Sequence, residues 1–370
     1  MSIEFQQLQN DIASTLLDYK RFGYDYESLL KHWEEIIGIQ RQRGCLPKEF
    51  ENPLGVQLEI TYSCNLRCIQ CYNNSGQQIN PELTKGEWVN VTKKLCEMGV
   101  FECVISGGEP LMYNGLFDIL DTLKEYDVKI ILITNGWFLK KRVVSKLAKY
   151  DYSWLQVSID GATAKTHDRI RGVRGSWKRA IVGAKMVADE GIPLVIANVC
   201  MRSNLHELKD LIDIAGYLGA CQIITGEGIL VGRGSNLSSE LPLTDDERKL
   251  FFDIVKEKRR EWGEATAVTV SLPPEISLRF YALMPTRVLL IRPNGDVKLG
   301  CIEPFKVGNV RDDDLKTLWK RVIDAKHHPE VLKFIRHVRN NADLLTYEHG
   351  IPHVDGDIPL YSKTERVEKV

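Results

Sequence analysis

Between Gly55 and Thr225, short apolar runs alternate with amphipathic stretches, and this alternation leaves few folds open. The apolar runs predict strands at Val56–Thr61, Glu102–Ser106, Lys129–Thr134, Trp154–Ile159, Leu194–Cys200 and Gln222–Thr225. Between them, apolar residues at helical spacing predict helices over Thr84–Met98, Gly115–Glu125, Leu139–Tyr150, Ser176–Glu190 and Leu205–Leu218. Strand and helix recurring every ~30–40 residues mark βαβ units with parallel strands. Right-handed crossovers curl six such strands into a barrel or an open twisted sheet. Ligands are expected at the C-terminal ends of the strands.

The flanks read differently. Leu8, Ile12 and Leu16, then Leu29, Trp33 and Ile36, recur at helical spacing and predict an N-terminal helical extension over 1–52. The barrel is expected over 53–240. A connecting segment over 241–275 holds a charged helix, Asp245–Trp262, and a strand within Ala265–Leu272. A small α+β unit is expected over 276–345. It starts with a hairpin, Val288–Leu299, turned at Asn294-Gly295, and includes a short helix over Leu315–Ile323. Residues 346–370 read as a tail.

The chain has 370 residues, and its formal net charge of -1 calls for neither nucleic acid nor an anionic membrane as partner. No apolar run approaches the ~20 residues that span a bilayer, and Met1–Lys20 lacks the apolar segment of an export signal. Cytoplasmic location is expected. In a reducing compartment, the nine cysteines point to metal binding or catalysis rather than disulfides.

Three of them, Cys64, Cys68 and Cys71, directly follow the first predicted strand. Soft thiolates so close together can hold iron or zinc. A closed metal site usually has four ligands, so three leave one position open for chemistry. Gly107-Gly108-Glu109-Pro110 follows the second strand, Asn135-Gly136 the third and Asp160-Gly161 the fourth. All four segments therefore fall on one rim. A structural zinc site would leave Gly107–Pro110 without a role. Glu227, between Gly226 and Gly228 past strand six, is a rim carboxylate that either binds substrate or faces solvent.

The spacing Cys64-x-x-x-Cys68-x-x-Cys71, followed by Gly107-Gly108-Glu109-Pro110 after the next strand, resembles the radical SAM superfamily over residues 54–235. The resemblance implies a partial (β/α)6, TIM-like barrel of the α/β class. It implies one [4Fe-4S] cluster held by Cys64, Cys68 and Cys71, with S-adenosylmethionine on the fourth iron. Reductive cleavage would give a 5′-deoxyadenosyl radical that abstracts a substrate hydrogen. By the same resemblance Gly107, Gly108 and Glu109 face the cofactor, with Glu109 toward the methionine amino group. Asn135 and Ser158 join them, as does Asp160. Arg171, in the segment His167-Asp168-Arg169-Ile170-Arg171, pairs with the methionine carboxylate. Family members often carry an aromatic residue before the last cysteine; here Gln70 stands there.

The segment Leu290–Cys301 and the following Val307-Gly308-Asn309-Val310 resemble a SPASM or twitch extension. Only Cys301 follows Cys221, so the extension is expected to be degenerate, without an auxiliary cluster. That favours a redox-neutral reaction such as epimerisation, with Cys200, Cys221 or Cys301 as hydrogen donor. The resemblance implies a ribosomally made peptide as substrate. The alternatives are an epimerase, dehydrogenase or decarboxylase of a sugar, nucleoside or amino acid, and a non-catalytic iron–sulfur protein. An electron donor such as flavodoxin or ferredoxin is the implied partner.

Overall fold

The computed structural model describes residues 49–77, 81–347 and 357–361, with a few isolated positions between 38 and 47. Most of the helical extension expected over 1–52, Cys45 and most of the tail lie outside the described residues.

Seven parallel strands stand side by side in chain order: β1 (Gly55–Glu59), β2 (Glu102–Ser106), β3 (Lys129–Thr134), β4 (Tyr152–Ser158), β5 (Leu194–Cys200), β6 (Gln222–Glu227) and β7 (Ala267–Val270). The six expected strands are β1–β6. The sheet runs on at both edges. On the far side of β1, β8 (Val288–Ile291) pairs parallel, with Leu58 opposite Ile291. β9 (Asp296–Lys298) turns back antiparallel at the expected Asn294-Gly295 tip. β10 (Phe305–Asn309) and β11 (Ile358–Pro359) complete an open sheet of eleven strands. The C-terminal hairpin is thus hydrogen-bonded to the first barrel strand.

The two faces of the parallel sheet differ in chemistry. Leu58, Ile105, Leu132 and Leu155 share one register row and are fully buried. They join one core with Trp88, Leu95, Ile119, Val187 and Leu211 from the crossover helices. The opposite face carries Gln57, Ser106, Gln156 and Ser158 toward the C-terminal strand ends, where they line a cavity. Burying the apolar face under helices drives the fold. The polar face is left for a ligand.

The crossover helices are α1 (Lys85–Glu97), α2 (Leu116–Glu125), α3 (Lys141–Leu147), α4 (Ala164–Arg171), α5 (Ser176–Asp189) and α6 (Leu208–Leu218). Thr84 and Glu87 form a reciprocal cap on α1. The sequence reading did not assign α4, which Thr163 caps and Gly172 ends in the left-handed conformation. It is only eight residues long and strongly polar, so its periodicity is weak. Also unassigned were Pro274–Leu283 and Pro329–His337, each opening on proline in its first turn. No helix among the described residues is long and apolar enough to cross a membrane.

Candidate active site

The loop after β1 is held from several sides. Arg67 donates from Nη1 to the carbonyls of Cys64 (2.7 Å) and Leu66 (2.8 Å), and from Nη2 to that of Gly76 (3.0 Å). The amides of Arg67 and Ile69 bond the carbonyls of Arg171 and Ile170, at the end of α4. From the loop past β6, Arg233 donates its amide to the Cys71 carbonyl (2.9 Å) and its side chain to those of Cys68 (2.8 Å) and Ser75 (2.7 Å).

So held, Cys64, Cys68 and Cys71 line one cavity of about 430 Å³ at the C-terminal ends of the parallel strands. N–H groups point at every sulfur. The Leu66 amide lies 3.5 Å from Cys64 Sγ, the Ser75 amide 3.4 Å from Cys71 Sγ and Arg171 Nη1 3.7 Å from Cys68 Sγ. Asn135 Nδ2 adds a contact of 3.9 Å to Cys64 Sγ. Such donors suit sulfurs that carry negative charge as metal ligands. In the free protein, burial pushes the Cys64 thiol up to about 11 and raises Cys68 as well. Among the described residues, no group of three His, Cys, Asp or Glu is set around a single metal ion. One ion would need every sulfur about 2.3 Å away, whereas a cluster puts each thiolate on its own iron. Three thiolates on one cavity can each hold one iron of a cluster.

Gly107, Gly108, Asn135, Ser158 and Arg171 also line this cavity. The two glycines have a structural reason as well. A Cβ on Gly107 would lie 2.6 Å from the Thr61 carbonyl oxygen, and one on Gly108 only 2.2 Å from that of Ser63. What requires glycine here is the approach of two protein loops. Gln70 lines the cavity too, and its Oε1 is buried without a hydrogen-bond partner. An orphaned acceptor in a cavity wall suits a donor on a bound molecule.

Other expected site residues are placed elsewhere. Glu109 is fully buried and outside the cavity wall. Its carboxylate accepts from Thr134 Oγ1 (2.7 Å) and the amides of Asn135 (2.8 Å) and Leu111 (3.1 Å). It fastens the glycine turn to the end of β3, and burial raises it to about 7. Asp160 is also fully buried and spends both oxygens within the protein. One accepts from the Val199 amide (2.9 Å); the other meets Gln70 Nε2 (2.5 Å) and Arg171 Nε (2.7 Å). Asp160 thus positions two cavity residues without reaching the cavity. Glu227 neither binds there nor faces solvent: Arg248 clamps it bidentately at 2.5 and 2.9 Å.

Of the hydrogen-donor candidates, Cys200 shares the helix-facing side of β5 with Ile196 and belongs to the apolar core. Cys221 is exposed at the opposite, N-terminal end of β6. Burial in the core and location at the wrong end of the sheet keep both from the cavity. Cys301 does not line the cavity either, but it lies directly behind the wall: Gln57 Nε2 is 3.7 Å from its Sγ, and Gln57 is a cavity residue.

Arg233, which lines the cavity, was passed over by the sequence reading. Its signal was an arginine between Gly232 and Gly234 just past a parallel strand. A Cβ on Gly232 would lie 2.2 Å from the Tyr72 carbonyl oxygen, so the glycine lets the two loops meet.

Comparison with known proteins agrees with this geometry. The sequence profile of the radical SAM superfamily matches residues 58–215. The mycofactocin maturase MftC of Mycobacterium tuberculosis is 31% identical over 277 residues, which are 72% of this chain and 70% of that protein. The sporulation killing factor maturation protein SkfB of Bacillus subtilis is 26% identical over 71% of this chain, which spans 64% of its length. The AdoMet-dependent heme synthase of Methanosarcina barkeri is 27% identical over 76% of this chain and 86% of its own. Among solved structures, Streptococcus suis SuiB bound to precursor peptide SuiA superposes with a TM-score of 0.63 at 17% identity, covering 92% of this chain and 81% of SuiB. That last likeness speaks to the fold alone. The match to MftC extends over more than two thirds of both chains, and the superfamily profile contains the cysteine loop, the glycine turn and Arg171. This chain therefore belongs to the radical SAM superfamily, enzymes that use a [4Fe-4S] cluster with S-adenosylmethionine.

Proposed function

We propose that this enzyme binds one [4Fe-4S] cluster through Cys64, Cys68 and Cys71 and modifies a ribosomally made peptide. The observation that carries the metal assignment is the set of N–H groups aimed at three sulfurs around one cavity. When bound, the cluster and S-adenosylmethionine supply a radical able to abstract hydrogen from an unactivated C–H bond. Arg171, held by Asp160, is the cation for the methionine carboxylate, since a guanidinium fork suits a carboxylate. Gln70 Oε1, Asn135 and Ser158 offer polar contacts along the rest of the cavity, and Gly107 and Gly108 offer backbone.

The peptide assignment rests on relatives named for maturation, SkfB and MftC. The relationship to a heme synthase favours a second reading, a small-molecule substrate. For a redox-neutral outcome such as epimerisation, Cys301 is the hydrogen donor best placed, behind Gln57. Its S–H would pass a hydrogen atom to the substrate radical, and the resulting thiyl would be reduced by one electron from the external electron-donor protein and protonated from solvent.

The test is anaerobic reconstitution followed by S-adenosylmethionine and dithionite. Production of 5′-deoxyadenosine is expected, and its absence from iron-loaded protein would sink the enzymatic reading. A short precursor gene beside this one would supply the candidate peptide and favour the peptide reading. A product only from a small metabolite would favour the second reading. In D2O, a product without solvent deuterium would remove the thiol-donor idea.

A further inference from the structure

Beside the active site lies a second groove of about 680 Å³, and its chemistry is different. Lys140, Lys141, Arg174, Lys178 and Arg179 line it, all exposed, and no Asp or Glu is among the described residues of its wall. None of the five makes an ion pair with a described residue within 4 Å. Neighbouring Asp168 is spent on the amides of Gly175 and Trp177 and the hydroxyl of Ser176. In a chain of formal net charge -1, this is a local concentration of positive charge. Charge of one sign draws a partner of the other.

The groove also lies close to the cysteine loop. Its wall includes Trp137, under the Arg179 guanidinium at 4.7 Å from the ring centroid. The Trp137 amide donates to Asn135 Oδ1 (2.9 Å), and Asn135 Nδ2 contacts Cys64 Sγ. The turn Asn135–Trp137 thus separates the groove from one sulfur. Groove and cavity have no wall residue in common. A molecule in the groove is walled off from the reacting space, yet two residues from a proposed cluster ligand. That suits the delivery of an electron better than the delivery of a substrate atom.

We propose that this basic groove is the docking surface for an acidic one-electron carrier protein, bearing a flavin or an iron–sulfur centre. The inference rests on the radical SAM reading, whose chemistry takes an electron from outside the chain. The carrier loses one electron and the metal site gains it, with no bond formed or broken.

The test pairs Lys141→Glu with Lys178→Glu. Both positions lie in the first turn of a helix, where a carboxylate is favourable, so the fold should tolerate the change. The milder Lys141→Gln/Lys178→Gln pair guards against misfolding. An acidic flavodoxin is titrated into each protein by calorimetry at low and moderate salt. Wild type should bind with an affinity that falls as salt rises. The Glu pair should bind about ten-fold or more weaker, with little salt dependence, and the Gln pair in between. Flavodoxin-driven 5′-deoxyadenosine formation should fall in parallel, while the dithionite-driven rate stays at the wild-type level. Unchanged flavodoxin affinity in both pairs would overturn the proposal. So would unchanged flavodoxin binding with weaker binding of an octa-glutamate peptide, which would make the groove a peptide dock. Failure of wild type to form 5′-deoxyadenosine even with dithionite would instead overturn the radical SAM reading on which this rests.

Discussion

Arg233 Nε donates to the carbonyl oxygen of Cys68 at 2.8 Å, joining residues 165 positions apart. The same guanidinium reaches Ser75 and Asn74, and the Arg233 amide bonds Cys71. The loop past β6 therefore sets the backbone that carries two of the three cysteines.

Arg233→Ala should lower iron affinity by roughly 10- to 100-fold, the range for groups that orient metal ligands. Arg233→Lys should recover only part, since one ammonium cannot replace a fork that bonds several acceptors. Iron and sulfide content after reconstitution and desalting checks both. Full iron in Arg233→Ala would show that the cysteine loop holds its shape alone.

A buried ion pair ties the C-terminal hairpin to the same loop. Arg292 Nε lies 3.1 Å from Glu59 Oε2, and Tyr72 and Asn73 donate to the Glu59 carboxylate. Glu59→Leu leaves Arg292 buried without its charge partner, and a loss of about 3–5 kcal/mol is expected. The double change Glu59→Leu/Arg292→Leu should be less harmful than Glu59→Leu alone. Denaturant midpoints at constant slope decide this. A double change costing the full sum of the two singles would mean the residues act independently.

Two glycines make a matched pair. Gly108→Ala puts a methyl group against the Ser63 carbonyl, and a loss of roughly 1–3 kcal/mol is expected as the loops move apart. Gly86, in the first turn of α1, has nothing within 4 Å of its would-be Cβ. Gly86→Ala should be neutral or stabilise by up to about 1 kcal/mol. Thermal unfolding of both variants gives the comparison. Equal effects would contradict the crowding argument.

His167 sets a pH dependence. It is fully buried, its Nδ1 accepts from the Asp160 amide, and burial lowers its pKa from 6.5 to about 4. Below 6.5 the unfolded chain takes up a proton that the folded chain refuses. Its contribution is therefore fully present above pH 6.5 and lost as pH falls toward 4, up to roughly 3 kcal/mol. His167→Asn should flatten the stability profile between those limits, whatever it does to stability at pH 7. Profiles of equal slope in that window would remove this assignment.

The sheet and the cysteine loop were legible in sequence because both depend on local pattern. β2, β3 and β5 appear at their expected bounds, since buried parallel strands read as short apolar runs between helical periods. The spacing of Cys64, Cys68 and Cys71 likewise needs nothing beyond neighbours in the chain. Contacts between distant segments were not legible. Glu109 and Asp160 looked like cavity residues because their motifs sit at strand ends. Folding turned both inward, where amides and a guanidinium consume their oxygens. Cys200 and Cys301 are the same residue type, yet strand register sends one into the helix layer and the hairpin brings the other to Gln57. Sequence alone predicted the six parallel strands and the cysteine spacing and pointed to the family. Which polar side chains face the cavity was decided only when loops far apart in sequence closed over one another, because a buried polar atom must find its partner among whatever the fold brings near.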